Sequence, residues 1–175
     1  GQLGQLPPGS VAAVLSSSPY EGSPTTPGNV GNRMHKELWG KGHNLSVQDG
    51  YGVSQGQLGS TVGDTFWSAA KLIVAQCHQL LPSGGHAIWV VKYFVRNKAR
   101  VDFTGDWRRL CEAVGFRLVC EHHAMLVKTW EEPHLFEGTI TKMKERKSFF
   151  RRLAERKGSP HIDWESVQCF EKPSL

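Results

Sequence analysis

The chain has 175 residues, 39% of them hydrophobic and 21% charged, and a net charge of +5. That balance fits one folded domain and excludes both a disordered tail and a pair of ordinary-sized domains, while the modest basicity suits a polyanionic partner without requiring one. No apolar run reaches membrane-spanning length, and the first residues lack the basic-then-apolar pattern of an export signal.

The first patterned stretch is Val11-Ala12-Ala13-Val14-Leu15, five apolar residues that read as a buried strand. It runs directly into Ser16-Ser17-Ser18-Pro19-Tyr20. This corner offers hydroxyls, a carbonyl and an aromatic ring at the strand's carboxyl end, the edge at which open α/β sheets place their chemistry. The strand lies close to Gly1, and an α/β domain rarely opens on its functional strand. A natural N-terminal part of the domain is therefore expected to precede this sequence.

Residues 21 to 63 are rich in Gly, Ser, Pro, Asn and Gln and keep no period of 2 or 3.6, so they read as a long irregular loop. The tetrapeptide Gly-Gln-Leu-Gly at Gly1 to Gly4 and again at Gly56 to Gly59 reads as coincidence in a biased composition. A helix follows, capped by Asp64 or Thr65, with Phe66, Ala70, Ile73, Val74, Cys77, Leu80 and Leu81 at helical spacing. Pro82 and Gly84-Gly85 end it. His86 to Val95 is nearly all apolar, as in a strand buried on both faces.

The next helix starts near Thr104 to Asp106. Trp107, Leu110, Cys111 and Val114 line its apolar face, and Gly115 is placed to close it. Phe116 to Lys128 reads as a strand bent around His122-His123, and Glu131-Glu132-Pro133 as irregular. Lys142 to Lys157 reads as a basic helix, and Ser166 to Phe170 alternates like a final strand. This alternation predicts one α/β domain over 1–175, with a mostly parallel, Rossmann-like sheet and helices on both faces. The last two strands are expected to pair antiparallel at one edge.

The cysteines, Cys77, Cys111, Cys120 and Cys169, include no Cys-x-x-Cys pair. Neither a zinc site nor a disulfide framework is expected, no metal is assigned, and free thiols fit the cytoplasm. His122 and His123 are adjacent, a spacing that suits chelation from neither a helix face nor a strand face.

The Ser17-Ser18-Pro19-Tyr20 corner resembles the Asp/Asn/Ser-Pro-Pro-Tyr motif of the S-adenosylmethionine-dependent amino-methyltransferases that modify DNA bases in phages and bacteria. Ser18 stands where that family has proline. The resemblance continues in order through Phe66 to Lys92, with its Leu80-Leu81-Pro82-Ser83-Gly84-Gly85 turn. It goes on through Asp106 to Glu112, Val114-Gly115-Phe116, and Arg146 to Ala154, so it covers most of Val11 to Phe170. It implies methylation of cytosine N4 or adenine N6 in double-stranded DNA with S-adenosyl-L-methionine as donor. It also implies Ser17, Ser18, Pro19 and Tyr20 as the catalytic residues. An exocyclic amine is a weak nucleophile because its lone pair is delocalised into the ring. Aimed acceptors such as the Ser17 hydroxyl and the Ser18 carbonyl would draw its N–H groups, while Tyr20 stacks on an extruded base. The family's Phe-x-Gly-x-Gly cofactor loop occurs nowhere in the chain. The cofactor-holding half is therefore expected upstream of Gly1.

Two basic groups accompany the corner. Lys92, Arg96, Lys98 and Arg100 follow a strand on its functional side, and Arg33 lies in the long loop. All five are candidate DNA contacts. The second group, Lys142 to Lys157, reads equally well as phosphate contact or as a solvated face. Two other functions stay open: a nucleic-acid-binding protein without methyl transfer, and a methyltransferase acting on RNA or a small molecule.

Overall fold

Strand β1 (Ala13–Ser17) lies parallel to strand β2 (His86–Val91), from Ala13 opposite His86 to Ser17 opposite Val90, and helix α1 (Gly63–Leu80) makes the crossover between them. The structure, a computed structural model, describes residues 2–18, 58, 62–136, 138–147, 149–156 and 158–174. After β2 the chain forms a small antiparallel hairpin, β3 (Phe94–Arg96) and β4 (Ala99–Val101). Helix α2 (Phe103–Val114) then leads into strand β5 (Arg117–Met125). A second separate hairpin, β6 (Val127–His134) and β7 (Gly138–Glu145), is followed by helix α3 (Phe149–Arg156) and strand β8 (Trp164–Glu171).

The main sheet has the order β1-β2-β8-β5. The last strand in sequence is thus an interior strand, antiparallel to β2 on one side and to β5 on the other. This corrects the expectation of a mostly parallel sheet: one pair is parallel, two are antiparallel, and the sheet is mixed. The crossover logic itself survives. β1 and β2 run together across α1, and β2 and β5 also point the same way across α2. But β2 and β5 are not neighbours. They leave a gap of about two strand spacings, roughly 10 Å, which one further strand can fill. Alternation of elements does not encode that a later strand enters the gap.

The expectation of helices on both faces also needs correcting for α1 and α2. Both put their apolar stripes into one core cluster with Ala87, Trp89 and Val91 of β2 and Phe170 of β8. The opposite face carries Leu15, which is 73% exposed, and the half-buried Ile88, Val90, Val167 and Cys169. The helix periodicity holds well: Phe66, Ala70, Val74, Cys77 and Leu80 are the buried residues of α1, and Trp107 and Cys111 are among those of α2.

Helix α2 is closed at both ends by its own sequence. The Asp102 side chain accepts from the Gly105 N–H at 3.0 Å. Gly115 takes φ +113°, a conformation that side chains resist, and its N–H reaches the carbonyls of Cys111 and Glu112.

Several boundaries move. α1 starts at Gly63 with Val62 at its cap and no side-chain cap hydrogen bond, so neither Asp64 nor Thr65 caps it. β2 ends at Val91 rather than Val95, because Phe94 and Val95 belong to the small hairpin. Glu131-Glu132-Pro133 lies within β6, and Lys142 to Glu145 lies within β7, so the late helix is only Phe149–Arg156. The β6–β7 pair hides from apolar patterning because polar contacts hold it. Trp130 Nε1 donates to Glu132 at 2.6 Å, and Lys142 Nζ sits 2.5 Å from the same carboxylate across the ladder.

Aromatic rings fill the core. Trp107 is 1% exposed and meets Trp89 edge-on at 5.3 Å, Phe103 at 5.8 Å and Trp67 at 6.4 Å. Removing it would leave a void shared by α1, α2 and β2. Trp107→Ala is expected to cost about 3–5 kcal/mol, read as a lower urea midpoint at unchanged slope.

Candidate functional site

The carboxyl ends of β1, β2 and β5 and the amino end of β8 meet along one rim of the sheet, because β8 runs against the other three. Ser17 closes β1 and is exposed, while Ser18, the next residue, is only 7% exposed. Pro19, Tyr20 and Arg33 lie outside the described residues. The rim therefore offers the Ser17 hydroxyl to solvent, and Ser18 is covered by its neighbours.

Lys92 leaves β2 beside this corner. Its Nζ lies 3.5 Å from the Glu165 carboxylate at the start of β8. Next to Glu165, Trp164 stacks on His123 of β5, with ring centroids 4.8 Å apart and planes within 22°. Ser166 donates its hydroxyl to Glu121, so three consecutive residues of β8 tie the rim to the strands on either side.

The β3–β4 hairpin carries the remaining cations. Phe94 packs against Phe103 at 5.8 Å, which fixes the hairpin's base on the core. The Arg96 guanidinium lies 5.2 Å from the Phe94 ring centre, and that of Arg100 lies 5.2 Å from the Tyr93 ring centre. Such contacts orient a guanidinium while leaving its charge in place. At the tip, Asn97 and Lys98 have φ of +52° and +62°. Two successive left-handed residues make the tight turn whose twist matches a two-stranded hairpin. Asparagine accepts that conformation readily; lysine does so at a cost of about 1–2 kcal/mol.

The late basic segment is wired differently. Arg151 pairs with Glu145, with Asp163 at 3.0 Å and with Glu155 at 3.4 Å, and Lys147 lies 2.9 Å from Glu155. The hydrogen bond from Lys147 is the first cause holding the Glu155 carboxyl below its ordinary range. These cations are answered locally by carboxylates. In the hairpin Arg96 and Arg100 each lie over an aromatic ring and Lys98 sits at the exposed tip, which makes the hairpin a candidate for phosphate contact.

Sequence reasoning placed the four cations near the rim but missed the hairpin that presents them, since Asn97-Lys98 is a weaker turn signal than Asn-Gly. It also missed Glu165, whose pairing with Lys92 follows only from the direction of β8. Gly84 and Gly85 sit at the opposite end of the sheet. The Gly84 N–H donates to the Lys172 carbonyl, and the Gly85 carbonyl accepts from the Lys172 N–H. They hold the α1–β2 turn to the end of β8 and are not a cofactor loop.

No protein-family model matches the chain, and no curated protein matches it. Among solved structures it is similar to TTHA0409 of Thermus thermophilus, a provisionally named DNA modification methylase. The selenomethionine form of that protein aligns with a TM-score of 0.52 at 15% identity, over 99% of this chain and 50% of that one. The form complexed with S-adenosyl-L-methionine aligns with a TM-score of 0.53 at 14% identity, over 99% and 50%. At this identity the likeness establishes a shared α/β fold, and the chain spans about half the length of the structures it matches. Among the described residues, no helix is long and apolar enough to cross a membrane.

Replacing Lys98 by glycine separates strain from charge at the hairpin tip. Lys98→Gly is expected to stabilise the protein by about 1 kcal/mol and, where the hairpin contacts DNA phosphates, to flatten the salt dependence of binding by about 0.9 in log–log slope. Thermal unfolding and a salt-titrated binding isotherm read the two effects.

Proposed function

We propose that this chain is the target-base portion of a DNA methyltransferase. It would direct S-adenosylmethionine-dependent methylation of an exocyclic amine, cytosine N4 or adenine N6, in double-stranded DNA. The observation that carries the reading is the exposed Ser17 hydroxyl at the carboxyl end of β1, beside a cation-bearing hairpin on the next strand. The shared fold with TTHA0409 supports it, as does that protein's complex with S-adenosyl-L-methionine.

The roles divide by position. The Ser17 hydroxyl accepts a hydrogen bond from the target amine and turns the nitrogen's lone pair toward the donor. The Ser18 carbonyl is the second acceptor, although the burial of Ser18 requires its neighbours to part when a base enters. Pro19 limits the backbone freedom of the corner, and Tyr20 supplies a ring for the extruded base. Arg96, Lys98 and Arg100 grip the phosphates that flank that base, with Lys92 and Arg33 in support. When bound, S-adenosylmethionine supplies an electrophilic methyl. The described residues fit the target side of that reaction and include no glycine-rich cradle for the adenosyl group.

The burial of Ser18 favours one other reading, in which the cationic hairpin binds nucleic acid and no methyl is transferred. Incubation of the protein, joined to the cofactor-holding half expected upstream of it, with labelled S-adenosylmethionine and unmethylated duplex DNA tells the two apart. The proposal expects label in DNA, recovered as N4-methylcytosine or N6-methyladenine. Ser17→Ala should reduce the rate by about 10²–10³ and Tyr20→Ala, which loses the stacking ring, by about 5–150-fold, both without loss of folding. Equal rates in the wild type and both variants would remove the corner from catalysis. Salt-dependent DNA binding with no label transferred would favour the binder.

A further inference from the structure

A cluster outside the rim has a different chemistry. The thiols of Cys120 and Cys169 and a ring nitrogen of His122 lie within 4.8 Å of one another. Cys120 and His122 are two residues apart on β5, so they share a face, and Cys169 is the cross-strand partner of Cys120 on β8. The alignment depends on an irregularity in the ladder. The register shifts between Leu118, opposite Phe170, and Cys120, opposite Cys169, so Val119 is the extra residue. Without that bulge Val119 would face Cys169, and Cys120 would face Gln168. Bulges commonly re-aim a side chain in this way. Leu118 packs toward the core, whereas Cys120 and His122 turn to the other face.

We infer that Cys120, His122 and Cys169 form a binding site for a soft divalent metal ion, zinc by preference, that clasps β5 to β8. Zinc–sulfur bonds of about 2.3 Å and zinc–nitrogen bonds of about 2.0–2.1 Å in tetrahedral array put ligand atoms roughly 3.4–3.8 Å apart, so the three groups need only close in slightly. Two thiolates and one imidazole select zinc over magnesium or calcium. Cys120 and Cys169 are half-buried and His122 is exposed, which leaves the fourth position open to water from the solvent side. On the same face, Ile88 lies beside Cys169 and Val167 lies beside His122. These apolar neighbours lower the local dielectric and strengthen the attraction between thiolate and cation. Each cysteine loses its thiol proton to solvent as its sulfur–metal bond forms.

Cobalt(II) titration of the reduced protein, with free thiols counted beforehand, tests this. One equivalent should produce a sulfur-to-cobalt charge-transfer band and the visible bands of tetrahedral cobalt, and zinc should bleach both. Zinc should also raise the melting temperature and slow alkylation of Cys120 and Cys169, but not of Cys77 or Cys111, by peptide mass spectrometry. Cys120→Ser and Cys169→Ser should abolish the band with unchanged far-ultraviolet dichroism. His122→Ala should weaken binding by at least the roughly 10–100-fold that follows loss of an outer-shell partner. No charge-transfer band in the reduced wild type would overturn the inference, and so would a band that survives in the double serine variant. Unchanged alkylation of Cys120 and Cys169 in saturating zinc would overturn it even if the serine variants failed to fold.

Discussion

A gap one strand wide governs this molecule. Two crossovers lay down β1, β2 and β5 in one direction but leave β2 and β5 unpaired with each other, and only the insertion of β8 completes both ladders. Buried backbone N–H and C=O groups must find partners, so the sheet is not closed until its last strand is in place. The buried side of β8 is unusually polar for such a position: Ser166, Gln168 and Phe170 are all buried, and two of the three need hydrogen bonds. Ser166 donates to Glu121, and Gln168 Nε2 donates to the Thr104 carbonyl at 3.1 Å, which ties the strand to the first turn of α2. These contacts favour one register, because a slip by a single residue would exchange Gln168 for Cys169 against the helix.

The same insertion assembles the rim. Running against its neighbours, β8 delivers its first residues to the end of the sheet where β1, β2 and β5 finish. Glu165 meets Lys92 there, and Trp164 meets His123. The hairpin between β2 and α2 rises beside the rim with its base held on Phe103. Its tip keeps a lysine in a left-handed conformation that glycine would adopt more cheaply. The two-residue turn demands that conformation, and the lysine there places its charge at the exposed tip.

How much of this the sequence discloses depends on the kind of signal. Where burial follows a simple period, the elements are legible: Phe66 to Leu80 as a helix, Trp107 to Val114 as the apolar face of α2 with Gly115 at its end, and His86 to Val91 as the larger part of a strand read as far as Val95. Where polar contacts hold the element, the reading fails. Glu131 to Pro133 of β6 looks irregular, and Lys142 to Glu145 of β7 looks like the start of a helix, because Glu132 is satisfied by Trp130 and Lys142 rather than by burial. The direction of β8 is not a local property at all, since its alternation would be the same parallel or antiparallel. The corner at Ser17 and Ser18 was legible as a strand end, and the cations after β2 as its neighbours. The cluster of Cys120, His122 and Cys169 was not, because one ligand comes from a strand 49 residues away and a bulge sets the register that joins it.

Hydrogen exchange in the presence and absence of duplex DNA, resolved by peptide, tests most directly whether the rim organised by β8 is the surface that meets nucleic acid. The account predicts that DNA slows exchange in residues 92–101 and at the end of β1, and leaves the β6–β7 hairpin and α3 unchanged. Protection confined to β6, β7 and α3, with 92–101 exchanging at the same rate with and without DNA, would contradict it.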